Sequence, residues 1–255
     1  MTELPVDKSP ERIRRMFGAI APRYDLINRL LTLNIDSVWR KRTATILLDG
    51  NTLSGDVLDV CCGTGELTLA LYRHRIKQGV LTQDGQAADR MTLVGIDFSP
   101  EMIEAAKKKF GRKRLEIPYQ FTVADALDLP FESNKFALVA VAFGLRNLVD
   151  MQNGLAEMVR VCKQGGMVAV LDFSMPTVPV LKQCYQFYFQ ILLPRLGQWL
   201  GKNQDRAYHY LPESVLQFDK PEQIASRLRQ LGIGNIQSKP MTFGIATLIW
   251  GQKMS

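Results

Sequence analysis

The chain has 255 residues and a formal net charge of +7, with 46% hydrophobic and 22% charged residues. This length suits one α/β domain, residues 1–255, that buries a sizeable core without disulfide or metal staples. The longest purely apolar stretch, around Phe136 to Leu145, is shorter than the ~20 residues of a membrane-spanning helix. Four cysteines without a CxxC pair, and no secretory leader, predict reduced thiols and a cytoplasmic location.

Strands alternate with helices along the chain, and this alternation predicts an α/β fold with a mostly parallel, Rossmann-like sheet and an antiparallel strand near the C-terminus. A helical cap comes first, within residues 1–50, where apolar residues recur at helical spacing from Pro10 to Leu48. In chain order, the predicted strands are Val57 to Val60, Leu93 to Asp97, Tyr119 to Val123, Phe136 to Phe143, Met167 to Phe173, Ile233 to Ser238 and Thr242 to Gly251. The predicted later helices are Glu66 to Tyr72, one opened by Ser99 and Pro100, Asn153 to Val161, and Pro221 to Leu231.

Three segments fall outside this alternation. Arg73 to Arg90 is polar and breaker-rich and is interpreted as a surface excursion, and Gly165-Gly166 is interpreted as a turn. Val178 to Leu200 is aromatic-rich and apolar around most of a helix, within a predicted helical insertion at 175–215. It is interpreted either as a buried core or homodimer helix or as a lid over a binding site.

The strongest local motif is a glycine turn between a strand and a helix. It comprises Asp59, Gly63, Thr64 and Gly65, and its glycines let the backbone come close to a ligand lying over the strand ends. A dinucleotide fingerprint needs a third glycine three positions after the second, and this chain has Thr68 there.

Acids at the ends of the next two strands extend the motif. Asp97 ends the second strand and is placed to accept hydrogen bonds from ribose hydroxyls, while Asp125 and Ala126 follow the third and could meet an adenine ring. A glycine turn, an acid and a second acid on consecutive strands are similar to the class I methyltransferase plan, which binds S-adenosylmethionine.

Several further stretches resemble the C-methyltransferase family of ubiquinone and menaquinone biosynthesis, including its cyanobacterial phylloquinone enzymes. They run from about Phe17 to Ser214, which is most of the chain, and comprise Tyr24 to Trp39, Phe143-Gly144-Leu145-Arg146-Asn147, Arg160 to Ser174 and Tyr208 to Ser214. The chain departs from the family pattern at Ile27, Thr32, Asp36, Ala142, Gln164 and Asp172. The departures at Asp36 and Ala142 favour the phylloquinone branch.

The resemblance implies cofactor contacts at Thr64, Asp97, Asp125 and Ala126, and catalytic roles for Arg146, Asn147 and Tyr24. The acceptor would be a prenylated quinol, whose ring carbon becomes nucleophilic when the adjacent hydroxyl loses its proton. Arginine stays protonated in proteins, so Arg146 is expected to stabilise the phenolate rather than act as a base. His209 is an alternative proton acceptor. No metal site is expected.

The excess of Lys and Arg favours an anionic partner, which could be nucleic acid or a membrane surface. Base-methylating enzymes usually place an Asp/Asn-Pro-Pro-aromatic motif after the fourth strand, where this chain has Ala142 to Leu145, so no nucleic-acid partner is expected. The densest basic run, Lys107 to Arg114, is interpreted either as a solvated helix end or as a peripheral contact with anionic membrane. The apolar stretch at Val178 to Leu200 could then accept an isoprenoid tail.

Overall fold

The computed structural model describes residues 9–21, 24–32, 34–49, 55–77, 91–113, 115–176, 210 and 214–254. Its helices are α1 Pro10–Ile20, α2 Tyr24–Leu31, α3 Ile35–Leu48, α4 Glu66–Lys77, α5 Pro100–Gly111, α6 Met151–Val161 and α7 Pro221–Gln230. Its strands are β1 Val57–Val60, β2 Leu93–Asp97, β3 Tyr119–Val123, β4 Phe136–Ala142, β5 Cys162–Phe173, β6 Ile233–Met241 and β7 Ala246–Lys253. Short 3-10 turns lie at Leu145–Asn147 and Thr242–Gly244.

The strands form a seven-stranded sheet in the order β3-β2-β1-β4-β5-β7-β6. β1 pairs in parallel with β2 and β4, β2 with β3, and β4 with β5, while β7 runs antiparallel to both of its neighbours. The predicted fold class is therefore confirmed. The carboxyl ends of β1 to β4 meet at one edge, where parallel sheets usually place their ligands.

Each face of the sheet carries its own core, because successive side chains of a strand point to opposite faces. Leu138 and Ala140 of β4 pack with residues of α3, α4 and α5, whereas Val139 and Val141 pack with α6 and α7. Central strands buried on both faces explain the near-continuous apolar sequence of β4.

The helix that follows the glycine turn is longer than predicted. α4 continues to Lys77, so the polar excursion does not begin at Arg73. Its last turn carries the basic residues His74, Arg75 and Lys77. Positively charged side chains are stabilised there by the negative end of the helix dipole, so this polar sequence is compatible with an unbroken helix.

The prediction of a turn at Gly165-Gly166 was also wrong. These residues lie inside β5, which begins at Cys162, and the pairing with β4 shifts between the Phe136–Cys162 and Leu138–Met167 partners. Gly165 has φ +72°, which suits an irregularity within a strand.

Two predicted features lie outside the described residues: the segment 78–90 and the helical stretch Val178 to Leu200, with most of the insertion at 175–215. Among the described helices, none is long and apolar enough to cross a bilayer.

Candidate active site

A cleft opens at the carboxyl edge of β1 to β4 and is covered by α1, α2 and α3. The described residues that line it include Phe17, Tyr24, Arg40, Asp59, Cys61, Gly63, Thr64, Asp97, Asp125, Ala126, Ala142, Phe143, Gly144, Asn147, Leu148 and Val149.

The glycine turn after β1 has a backbone that most side chains would strain. Gly63 and Gly65 have φ +55° and +80°, and Cys61 also adopts a positive φ of 55°. A Cβ on Gly65 would lie 2.9 Å from the Phe110 ring, so this glycine also permits close packing of the turn on α5. Gly63 donates its N–H to Oδ2 of Asp97 at 2.8 Å, which joins the turn to β2.

Asp59 lies below this turn, near the end of β1, and is 1% exposed. Its Oδ2 accepts hydrogen bonds from the N–H and hydroxyl of Thr68, at 3.0 and 2.6 Å. Its Oδ1 is buried without a hydrogen-bond partner among the described residues. Burial raises the pKa of Asp59 to about 7, against the opposing effects of the Thr68 bonds and the Arg40 charge.

Thr64 links the turn to the helical cap. Its hydroxyl donates to Asp25 Oδ1 of α2 at 2.6 Å and accepts from Lys109 Nζ at 2.9 Å. Lys109 also pairs with Asp25 and with Glu66, at 2.6 and 2.7 Å. The predicted cofactor residue is therefore part of a polar bridge between α2, α4 and α5.

The two predicted acids follow on the neighbouring strands. Asp97 accepts N–H groups of Gly63 and Ser99, and burial raises its pKa. Asp125 is exposed and accepts the Leu127 N–H at 2.9 Å, beside the buried Ala126. Both carboxylates line the cleft in strand order after Asp59.

The other end of the cleft is formed by the turn after β4. Phe143 has φ +62°, and a Cβ on Gly144 would lie only 2.4 Å from the Cβ of Cys61. The turns after β1 and β4 are therefore in direct contact. Asn147 donates to the Phe143 carbonyl at 3.4 Å and accepts from the hydroxyl of Tyr210 at 3.0 Å.

Tyr210 belongs to the Tyr208 to Ser214 stretch, to which sequence reasoning gave no individual role. The buried phenol holds the side-chain amide of Asn147 from a site 63 residues away in sequence. His209, the alternative base, lies outside the described residues.

Tyr24 and Arg146, the other predicted catalytic residues, occupy different places. Tyr24 lines the cleft, and burial raises the pKa of its phenol, so the hydroxyl stays protonated at neutral pH. Arg146 is 5% exposed and lies behind the described lining, where it donates to Asp172 Oδ1 at 2.8 Å and to the Phe143 carbonyl at 2.6 Å. Its guanidinium also lies 5.0 Å from the Phe173 ring centre.

Arg40 is the arginine among the described residues that line the cleft, and the sequence analysis did not predict it as a site residue. Arg40 lies on α3, pairs with Asp36 one turn earlier, and stacks over Phe143 at 5.0 Å. Asp36 also accepts from the Thr32 hydroxyl at 2.7 Å. The departures at Thr32 and Asp36 could have drawn attention to it, since a buried acid on a helix needs a partner.

The fold and this cleft define an S-adenosylmethionine-dependent methyltransferase. The sheet is similar to that of a methyltransferase from Thermotoga maritima described as a possible histamine N-methyltransferase, with TM-score 0.62, 16% identity, and 94% and 99% of the two chains covered. A putative methyltransferase from Haloferax volcanii, solved in complex with the activator Trm112, has TM-score 0.60 and 16% identity over 94% of this chain and 98% of that one. At these identities the likeness concerns the fold.

Sequence comparison identifies the family. Residues 6–253 match the ubiE/COQ5 methyltransferase family, and the chain belongs to it. A ubiquinone/menaquinone biosynthesis C-methyltransferase UbiE from Citrifermentans bemidjiense is 42% identical over 244 residues, covering 95% of this chain and 97% of the relative. A demethylmenaquinone methyltransferase from Deinococcus radiodurans is 39% identical over 243 residues, covering 95% and 93%.

The residues present fit S-adenosylmethionine. Three carboxylates in strand order suit its ammonium, ribose hydroxyls and adenine, and Asp59 offers a buried oxygen that lacks a partner among the described residues. The glycine turn leaves room for close backbone approach. When bound, the cofactor supplies an electrophilic methyl group on a sulfonium.

Proposed function

We propose that this enzyme methylates a ring carbon of a prenylated naphthoquinol, a demethylphylloquinol or demethylmenaquinol, in quinone biosynthesis. Relatives that are 42% and 39% identical are named for quinone C-methylation, and this family context carries the proposal. The particular choice of phylloquinol is favoured by Asp36 and Ala142, which depart from the broader family pattern.

The apolar lining at the acceptor end of the cleft favours the proposal of a bicyclic acceptor ring. Ala142, Phe143, Leu148 and Val149 form an apolar wall, and Val149 is exposed at its rim. An alanine instead of a serine at 142 removes a hydroxyl group from this wall. A hydrocarbon-rich naphthalene ring buries more apolar area there than a ring carrying several oxygen substituents.

The protein's contribution to the reaction is mainly alignment, exclusion of water and stabilisation of charge. The acceptor carbon gains a methyl group and loses its ring proton, while the neighbouring hydroxyl must be deprotonated to make that carbon nucleophilic. Tyr24, protonated at neutral pH, is proposed to donate a hydrogen bond to the resulting oxyanion. Asn147, fixed by Tyr210 and Phe143, is proposed to orient the ring.

Arg146 is proposed to stabilise the oxyanion from behind the apolar wall of the cleft, without lining the cleft itself. Its buried positive charge is close enough to Tyr24 to offset part of the effect of burial, which raises the pKa of the phenol, and a phenolate bound beside Tyr24 would be stabilised by the same charge. The ion pair with Asp172 also fixes the Phe143 carbonyl, and through it the turn that carries Asn147. A bound water molecule is proposed to relay the hydroxyl proton to solvent; the ring proton leaves after methyl transfer as the ring regains aromaticity, and the oxyanion is reprotonated, so one proton is released overall.

Quinones extracted from a strain lacking this chain test the proposal by mass spectrometry. Demethylated naphthoquinone should accumulate, and the purified protein should methylate the corresponding reduced quinol. A ubiquinone precursor accumulating instead would favour the alternative acceptor, a benzoquinol, within the same family.

A soluble catalyst that uses a prenylated acceptor must visit the bilayer, so we further propose reversible peripheral binding to anionic membranes. The helix end at Lys107, Lys108, Arg112 and Lys113 is exposed. Lys109 is committed to Asp25 and Glu66 and does not contribute to this surface.

A further inference from the structure

Arg40 is a buried cation beside the glycine turn. It is 7% exposed and carries the one positive charge among the described residues that line the cleft, whereas the acids among them are Asp59, Glu66, Asp97 and Asp125. A guanidinium has five N–H donors in a rigid fork, so its pairing with Asp36 through one terminal nitrogen leaves donors for a second anion.

The contacts of Arg40 locate its charge along the cleft. Its guanidinium lies over Phe143, whose turn is in contact with the glycine turn, and its charge offsets part of the effect of burial, which raises the pKa values of Tyr24 and Asp59. A Cβ on Gly63 would lie 3.9 Å from the Tyr24 ring. Arg40 therefore lies over the turn after β4, near enough to Asp59 in β1 for its charge to act on that carboxyl group.

Asp59 presents the complementary charge at the same place. Its Oδ1 has no hydrogen-bond partner among the described residues, and Asp59 lines the cleft. A carboxylate and a guanidinium facing one cavity match a zwitterion whose ammonium and carboxylate share one carbon. S-adenosylmethionine carries such an amino-acid group at the end opposite its adenine.

We propose that Arg40 binds the carboxylate of the methionine portion of S-adenosylmethionine, while Asp59 Oδ1 accepts a hydrogen bond from its ammonium group. Asp36 is then a positioning residue, which holds the guanidinium on the cleft side of α3 and is itself oriented by Thr32. This proposal concerns the cofactor and does not depend on which acceptor is methylated, so it survives if the quinol assignment fails.

Calorimetric titration of the full chain with two ligands tests it. S-adenosylhomocysteine has the amino-acid group, and its decarboxylated analogue keeps the adenosine, the sulfur and the amine but lacks the carboxylate. Arg40→Met, which retains an apolar stem over Phe143, should weaken S-adenosylhomocysteine binding roughly 10- to 100-fold, the range expected for a hydrogen bond to a charged group. Binding of the decarboxylated analogue should change much less, because that analogue has no carboxylate to lose a partner and the Arg40 charge affects it only through Asp59.

Arg40→Met leaves Asp36 buried without its partner, so the double variant Asp36→Asn/Arg40→Met is the matched control for folding. Comparing two ligands in the same variant cancels any loss of folded protein, and the double variant should show the same selective loss. Equal weakening of both ligands would overturn the proposal. Unchanged binding of both ligands with lost methyl transfer would also overturn it, because Arg40 would then face the acceptor.

Discussion

The N–H of Gly63 donates a 2.8 Å hydrogen bond to Oδ2 of Asp97, which joins the glycine turn after β1 to the end of β2. Ser99 N–H binds Oδ1 of the same carboxylate at 2.9 Å. The acid is thus oriented by the backbone before any ligand arrives. Each carboxylate oxygen retains a further acceptor position for a ribose hydroxyl.

Replacement of this acid should weaken cofactor binding. Asp97→Ala removes two acceptor positions for ribose and releases the Gly63 turn. Binding of S-adenosylmethionine should therefore become less favourable by roughly 2–3 kcal/mol. Calorimetric titration measures the change. Asp128→Ala, an exposed acid near the same edge, should leave the affinity unchanged, and wild-type affinity in Asp97→Ala would contradict the assignment.

Arg146→Lys should reduce turnover more than cofactor affinity. A lysine keeps the charge, but its shorter side chain does not bring its nitrogen to the position from which Nη1 of Arg146 donates to both Asp172 Oδ1 and the Phe143 carbonyl. Loss of one such bond corresponds to roughly 10- to 100-fold in kcat. Arg160→Lys, in a Glu157 pair distant from the cleft, is the matched control.

Normal turnover of Arg146→Lys would show that the ion pair has a structural role alone. His209 would then be the next candidate for the proton transfer. Steady-state kinetics with a reduced naphthoquinol, together with cofactor titration of each variant, separates these outcomes.

Cofactor affinity should depend on pH through Asp59. Burial raises its pKa to about 7, so below neutral pH its carboxyl group is largely protonated, whereas the cofactor ammonium requires the ionised form. Affinity should therefore rise about tenfold per pH unit below pH ~7 and level off above it. The free energy of unfolding of the unliganded protein should show the opposite trend through this group, because a carboxyl group with a raised pKa contributes stability that is lost as pH rises towards that pKa.

Asp59→Asn keeps the acceptor for Thr68 and removes the titration. This variant should bind the cofactor weakly. In calorimetric titrations between pH ~6 and ~8, its affinity should lack the rise with pH that is attributed to Asp59. A pH dependence as steep as that of the wild type would assign the titration to another group, such as Asp97, whose pKa is also raised by burial.

Binding to anionic vesicles should be salt-sensitive. Lys108→Glu/Lys113→Glu reverses two exposed charges at the end of α5 and should reduce flotation with anionic vesicles at low ionic strength. Lys220→Glu/Lys239→Glu makes the same charge change on exposed residues at or near α7 and β6, and flotation should persist. Absence of flotation in the wild type, even with quinol present, would contradict the peripheral-membrane proposal.

The fold was largely predictable because strands buried on both faces have a simple signature. The bounds of β1, β2 and β3 agree with the predicted ones, and the Ser99 cap of α5 is confirmed by its hydrogen bond from Met102 N–H. Errors arose where local composition misleads. The polar end of α4 resembles a loop, and the glycines inside β5 resemble a turn.

Local sequence predicted residues of the cleft lining where they end or closely follow a strand, whereas Tyr24 was predicted through the family resemblance. Asp97 and Asp125 have that position, whereas Arg40 reaches the cleft because α3 packs across Phe143, a tertiary contact that local sequence does not encode. The Arg146–Asp172 pair joins residues 26 positions apart. Asp172 interrupts the apolar run from Met167 to Phe173, and that interruption was the available sign of a buried partner.

The contact between Cys61 and Gly144 restricts how the enzyme can evolve. With only 2.4 Å between the Cys61 Cβ and any Cβ added at 144, a side chain at 144 requires the partner turn to move. Such a movement would shift the cofactor when the acceptor wall is altered. New acceptors are therefore more readily accommodated through Ala142, Leu148 and Val149 than through the glycine, and a change at position 144 should become tolerable only after one at 61.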